Sequence, residues 1–332
     1  MTTSPPIPLI RLVHPQAFAG FAQETGAPMN RLLRRAGLPV YCDDPAALVP
    51  LRRAWALFEA TAQTVDPSVG WHVGRFVGDN HLSAGLLKRL EHAPTLYQSL
   101  HRLVRLISSE ASHLKLGIGE RHDDIVFYTS YSTLKDWPGY AVSQAYQLEV
   151  YIDIVRHYLG RNWVPEEMGI EHSVVPAVAQ EHFPDTRILP NQPLGYITVP
   201  RACLHRSASP PAPQSTQEES VTLSSDFDLV DTLRAMGSAY LPDGYPSVPR
   251  MAAVLEMSGR TLIRRLAERG LTYQGVIDEV RFRSATDLLR DSGLPIGDIA
   301  RSVGFDDPAH FARMFRRVGG SSPRQFRKSV SA

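Results

Sequence analysis

The chain has 332 residues, 43% of them hydrophobic, enough for about two globular domains with ordinary cores. No apolar run approaches 18 residues, and the start MTTSPPIPLIRLVHP lacks the charged-then-apolar layout of a secretion signal, so a cytoplasmic chain with no membrane partner is expected. A formal net charge of +1 hides an asymmetry: residues from Pro246 onward carry 15 Arg and Lys against 9 Asp and Glu, whereas residues 1–245 carry 20 against 25, which points to a polyanion partner for the C-terminal part alone.

In chain order, residues 1–8 are Pro-rich and expected to be loose. From Pro15 to Ala36, the apolar positions Phe18, Phe21, Met29, Leu32 and Leu33 suggest two short helices broken at Gly26. Val49-Pro50-Leu51 opens a helix carrying Trp55, Leu57, Phe58 and Ala62, which stops at Asp66-Pro67. Trp71 to His81 and Leu82 to Leu90 read as a helix, a Gly-rich turn and another helix. Leu96, Leu100, Leu103, Val104 and Ile107 follow helical spacing behind Pro94. The period then changes to two, and His113–Gly119 with Ile125–Tyr131 reads as a hairpin turning over Glu120 to Asp124. Ala141 to Leu159 returns to helix, followed by strands at Met168–His172 and Leu194–Val199 with a short helix, Val178–His182, between them.

These elements give an α+β N-terminal domain over residues 1–204. The run HRSASPPAPQSTQEES, residues 205–220, has no apolar period and reads as a Pro-rich linker. Residues 221–332 read as an all-α domain that a helix within Val221–Tyr240 leads into.

Two helix-turn-helix copies follow, over about 247–267 and 295–318. In the first, Val248, Met251, Ala252 and Leu255 form the apolar stripe, Ser258 caps the next helix, Leu262 and Leu266 turn inward, and Arg260, Arg264 and Arg265 are left outside. In the second, Ile296, Ile299, Ala300 and Val303 form the stripe, Asp306 or Asp307 can cap, Phe311 and Phe315 go to the core, and Arg313, Arg316 and Arg317 stay outside. Ala252 and Ala300 hold equivalent places 48 residues apart, and the second turn is one residue longer. Glu256 stands where the second copy has Gly304, so the first copy is the less regular. Tyr273 to Arg290 reads as one helix joining the copies, an arrangement that can enter two successive major-groove segments on one face of B-DNA.

Arg281, Ala285, Leu288 and Leu289 on the joining helix, then I-x-x-I-A-x-x-V-G-F, F-x-R-x-F, G-x-S-P and Q-F-R in register, make the stretch from Pro246 to Lys328 resemble the DNA-binding domain of the AraC/XylS transcription regulators. Glu256 at the first turn departs from that pattern. GLPV from Gly37, LVPLRRAWALFE from Leu48, HAPTLYQSLHRLVR from His92 and EHFPDTRILPNQPLGYITVP from Glu181 make the N-terminal part similar to the effector domain of the family's ornithine-utilisation and virulence regulators.

The resemblance implies base contacts from Arg260, Ile263 and Arg264 of the first copy and from Ala309, His310 and Arg313 of the second. Arginine can donate two parallel hydrogen bonds to guanine, worth ~1–3 kcal/mol of discrimination. Ser258, Arg265, Arg316, Arg317, Arg324, Arg327 and Lys328 are candidates for phosphate contacts. For every one of these cations the plain alternative is a solvated surface charge. Trp137, Tyr140, Tyr146 and Tyr151, where the hairpin hands over to the long helix, could line an effector cavity or simply pack the core.

Cys42 and Cys203 lie far apart without C-x-x-C spacing and read as plain buried thiols rather than a zinc site or disulfide framework. The 12 histidines form no H-E-x-x-H and no i, i+4 pair, and nucleophile-elbow, P-loop and dinucleotide-binding strings are absent, so neither metal, cofactor nor enzymatic activity is expected. The expected function is a sequence-specific transcription regulator, activating by the resemblance, with a metabolite-sensing and dimerising N-terminal domain and RNA polymerase as a further partner. Two alternatives stand beside it. Turnover of a bound ligand would mark an enzyme fused to a DNA-binding domain, and equal affinity for random and cognate duplex would mark a non-specific architectural protein.

Overall fold

A computed structural model describes residues 6–80, 90, 93–131, 134–207, 227–244 and 246–330. In chain order they form β1 (Leu9–Arg11), α1 (Val13–Glu24), α2 (Met29–Ala36), β2 (Leu48–Pro50), α3 (Leu51–Thr64), α4 (Val69–Asn80) and α5 (Leu96–Leu106). Then come β3 (Lys115–Arg121), β4 (Asp124–Ser130), α6 (Tyr140–Leu159), β5 (Glu167–Gly169), α7 (Ala177–His182), β6 (Arg187–Leu189) and β7 (Gly195–Pro200). The rest is helical: α8 (Leu229–Tyr240), α9 (Val248–Val254), α10 (Gly259–Ala267), α11 (Tyr273–Asp291), α12 (Ile296–Ser302), α13 (Pro308–Gly319) and α14 (Pro323–Val330). The mixed N-terminal part and the helical C-terminal part are as the apolar periods predict. The second helix expected at 82–90, apart from Leu90, and linker residues 208–220 lie outside the described residues.

Contacts divide the chain into two compact units interleaved in sequence. One comprises residues 13–32 and 54–224, the other residues 1–12, 33–53 and 225–332, each over its described residues. Residues 6–12 and 33–53, read from sequence as N-terminal-domain residues, therefore pack with the C-terminal helices.

The first unit holds a five-stranded sheet in the order β3-β4-β7-β5-β6, antiparallel except for the β5–β6 pair. Its hairpin is tighter than the sequence suggests: pairing runs through Arg121↔Asp124, because His122 takes a left-handed φ of 56° and lets two residues make the turn. β6, three residues long, was not legible, since so short a strand shows no alternation. Helix α6 is buried on nearly every face, and its polar side chains are satisfied inside: Gln147 accepts from Thr129 (3.2 Å) and donates to the Tyr131 hydroxyl (3.1 Å) and the Ser143 hydroxyl (3.2 Å). Helix α4 crosses it closely, because a Cβ on Gly70 would come to 2.3 Å from the Val142 carbonyl oxygen.

In the second unit, β1 pairs antiparallel with β2, and Leu12 N–H donates to the Ala47 carbonyl. The segment between is anchored on the helices. The Asp243 carboxylate accepts from Val40 N–H (3.0 Å) and Tyr41 N–H (2.9 Å), and the Tyr240 hydroxyl donates to the Gly37 carbonyl (3.2 Å). Cys42 is buried here, which pushes its thiol up to about 11, while Cys203 is half-buried.

Candidate nucleic-acid interface

Each helix-turn-helix copy is built in the same three steps. Its first helix, α9 or α12, buries an alanine, Ala252 or Ala300, so that the second helix can cross closely. That first helix then ends in one left-handed residue, Glu256 at φ 57° or Gly304 at φ 77°. The two endings are hydrogen-bonded alike: Met257 N–H reaches the Ala252 carbonyl and Phe305 N–H reaches the Ala300 carbonyl, both at 2.9 Å. The second helix, α10 or α13, starts at a side-chain cap. Ser258 Oγ accepts from Thr261 N–H (3.1 Å), and Asp307 Oδ1 accepts from Ala309 N–H (2.8 Å). Of the two caps the sequence allows in the second copy, Asp307 is the one used.

The turns are held from different sides. In the first copy, Arg53 Nε donates to the Val254 carbonyl (3.0 Å) and its Nη2 to the Ala253 carbonyl, closing the end of α9. Arg52 pairs with the Glu256 carboxylate at 2.6 Å. In the second copy, Arg281 on α11 donates to the Gly304 carbonyl at 2.7 Å and lies over the Phe305 ring at 4.1 Å. Asp278, 2% exposed, faces Arg281 at 3.8 Å and binds Arg317 of α13 and the Gln274 amide.

On α10, Leu262 and Leu266 are fully buried, leaving Arg260, Ile263 and Arg264 exposed on one face. Arg264 pairs with Glu268 one turn on, and Arg265 is half-buried. On α13, Phe311 and Phe315 are fully buried, and Ala309, His310 and Arg313 are exposed. His310 lies 3.7 Å from the Asp307 carboxylate. Counting from the caps, Arg264 and Arg313 are equivalent, Arg260 matches Ala309, and Ile263 matches Ala312, a half-buried position that sequence reasoning passed over. The cap register was the signal that would have found it.

The phosphate candidates fall into three groups. Arg316, Arg324 and Lys328 are exposed. Ser258 spends its hydroxyl on the cap, and Arg317 is tied to buried Asp278. Arg327 is half-buried, with Nε and Nη2 out of solvent and unpartnered among the described residues.

Of the four effector candidates, Tyr140, Tyr146 and Tyr151 are buried in an aromatic core and Trp137 is half-buried at its edge. Trp55 meets Trp137 and Tyr140 edge-on at 5.9 and 5.6 Å, Tyr146 bonds His14 at 3.0 Å, and Tyr151 packs on Phe127 at 5.2 Å. Burial raises the hydroxyl pKa of Tyr140, Tyr146 and Tyr151. A cavity of about 140 Å³ lies beside them, lined in part by Trp71, Val142, Gln144, Ala145, Ile170 and His172. Another, of about 560 Å³, lies in the other unit, where residues 41–47 meet α8, α11 and α12.

Comparison with known proteins accords with this geometry. The family model "Helix-turn-helix domain" matches residues 251–329, and "Arabinose-binding domain of AraC transcription regulator, N-term" matches residues 26–208, more than half of the chain. The ornithine utilization regulator of Pseudomonas aeruginosa is 33% identical over 144 residues, 42% of this chain and 42% of that protein. The transcriptional activator RhaS of Klebsiella pneumoniae is 42% identical over 83 residues, 25% of this chain and 30% of that protein. Each match thus spans less than half of the relative's length. The transcriptional regulator CdpR from Pseudomonas aeruginosa aligns over 95% of this chain and 98% of that one, with a TM-score of 0.39 and 18% identity. With an arabinose-binding-type domain ahead of two helix-turn-helix copies, the chain belongs to the AraC family of transcription regulators.

Proposed function

We propose that this regulator binds specific DNA through α10 and α13, senses a small metabolite with its N-terminal domain, dimerises through that domain on repeated half-sites, and activates transcription with RNA polymerase as partner. The observation that carries the reading is the pair of exposed faces Arg260-Ile263-Arg264 and Ala309-His310-Arg313, which share two positions counted from the caps, Arg260 with Ala309 and Arg264 with Arg313, and are each backed by fully buried apolar side chains. Arg316, Arg324 and Lys328 are then the phosphate contacts with free reach, and Arg317 holds the reading helix rather than the duplex. Likeness to a named activator supports the sign of the regulation, and likeness to an ornithine utilization regulator supports a metabolite as the input. No helix among the described residues is long and apolar enough to cross a membrane, which suits a cytoplasmic site of action.

Arg313→Ala tests the reading. Binding to a selected duplex weakens by ~1–3 kcal/mol and preference relaxes at one base pair. Uniform loss on every sequence would make Arg313 a phosphate contact instead. The effector is sought by thermal unfolding of the full-length chain against amino acids, amines, sugars and fatty acids, since a ligand at 100 times its Kd stabilises by about 2.7 kcal/mol. The whole chain is needed, because residues 33–53 pack with the C-terminal helices.

A further inference from the structure

Ile263 is one of several large apolar side chains exposed among the described residues, and it stands beside two arginines on α10. It is a β-branched side chain 45% exposed in a helix whose other two aliphatic side chains, Leu262 and Leu266, are fully buried. Exposed helix positions favour Ala, Lys, Glu or Arg, so isoleucine gains nothing here from propensity or from burial. It lies five residues beyond the Ser258 cap, with Arg260 one turn before it and Arg264 next to it, so the three side chains leave the helix on one face. At the equivalent place in α13 stands Ala312, half-buried, so at this register position a large apolar side chain is exposed in the first copy and not in the second.

The floor of the major groove offers hydrogen-bonding edges almost everywhere, and its one apolar group is the C5-methyl of thymine. An aliphatic side chain held between two guanidiniums on a reading face has that methyl as its complement, while the flanking arginines suit guanine O6 and N7. The Arg264–Glu268 pair does not oppose this, because both side chains are more than half exposed and an exposed pair of this kind is weak.

We propose that Ile263 is a specificity-determining residue that reads the C5-methyl of one thymine within the subsite of the first helix-turn-helix copy. The inference rests on the sequence-specific reading given above. It adds to that reading which base the first copy selects, and through which atom.

The test replaces thymine by deoxyuridine, one position at a time, in a duplex selected from a randomised pool by the full-length protein. The substitution removes the methyl and leaves the hydrogen-bonding edge intact. The expected result is one position where uracil weakens the wild-type protein by about fourfold, the effect of exposing one methyl group. At that position Ile263→Ser should bind both duplexes equally, and Ile263→Val should keep most of the difference. Serine matches isoleucine in helix propensity, so the helix itself is left unchanged.

A flat uracil scan by a wild-type protein that still prefers the selected duplex over random DNA would overturn the inference and leave the sequence-specific reading standing. An Ile263→Ser protein that keeps the thymine-to-uracil ratio would do the same, assigning the methyl to another residue. A wild-type protein with no preference over random duplex at matched salt would remove the reading itself, and the inference with it.

Discussion

The two helix-turn-helix copies share a backbone plan and differ in what holds it. In the second, the turn uses Gly304 at its left-handed position, and the clamp is Arg281, buried on the joining helix with Asp278 behind it. In the first, Glu256 takes the left-handed position, and the clamp is Arg52 and Arg53 from a segment some 200 residues away in sequence. A side chain in that conformation costs roughly 1–2 kcal/mol over glycine. Glu256 offsets part of it by pairing with Arg52 and with Arg53, which also closes the carbonyl end of α9. The second copy is thus held within its own domain, the first by residues that the arabinose-binding-type match includes, 26–208. One plan can be stabilised locally or by a distant strap.

This contrast can be broken or sharpened by experiment. The largest effect is expected from Arg281→Ala, which leaves the Gly304 carbonyl unpaired and strips buried Asp278 of one cation. Protection of the α13 amides against hydrogen exchange should fall by about 3 kcal/mol, with a smaller loss in α10. Equal losses in both helices would mean the copies open as one unit, and the contrast would fail.

A smaller effect separates the two turns. Gly304→Ala places a Cβ 2.9 Å from the Leu241 carbonyl oxygen in a left-handed conformation, so the loss in α12 and α13 should be about 2 kcal/mol. Glu256→Gly trades relief of backbone strain against lost ion pairs, and by the same measurement α9 and α10 should move by less than about 1 kcal/mol. A loss at Glu256 as large as that at Gly304 would make its ion pairs, rather than the backbone, the feature that matters.

The smallest effect concerns neighbouring arginines of α13. Arg316→Ala should lower the slope of log K against log salt by about one without changing base preference. Arg317→Ala should leave that slope in place and loosen the helix instead, because its guanidinium is committed to Asp278. Slopes that fall equally would return Arg317 to the phosphate contacts.

Much of this was written locally. The apolar stripe of each helix-turn-helix copy, the Ser258 cap, the extra residue in the second turn and the misfit of Glu256 against Gly304 all follow from residues within one or two turns of each other. Capping and helical periodicity act over that range, so the sequence carries them. The same holds for the hairpin and for α6, although the two-residue turn at His122 needed a left-handed residue that composition did not announce.

Whether an aromatic cluster encloses a cavity or fills a core depends on what packs against it. Tyr140, Tyr146 and Tyr151 meet Trp55, Phe18, His14 and Phe127 from other elements and are buried in the core, Trp137 is half-buried against Trp55, and the nearby cavity is lined by residues such as Gln144 and His172.

The sequence by itself thus determined the family, the second helix of each helix-turn-helix copy and the polarity of the chain's charge, since each depends on side chains a few positions apart. Only the tertiary structure decided that Arg317 faces Asp278, that Arg53 closes the first helix of the first copy, and that residues 33–53 pack with helices beyond residue 225. A guanidinium's choice between a buried carboxylate, a distant carbonyl and solvent is made by whichever partner the fold brings within hydrogen-bond reach, and no local pattern records that distance.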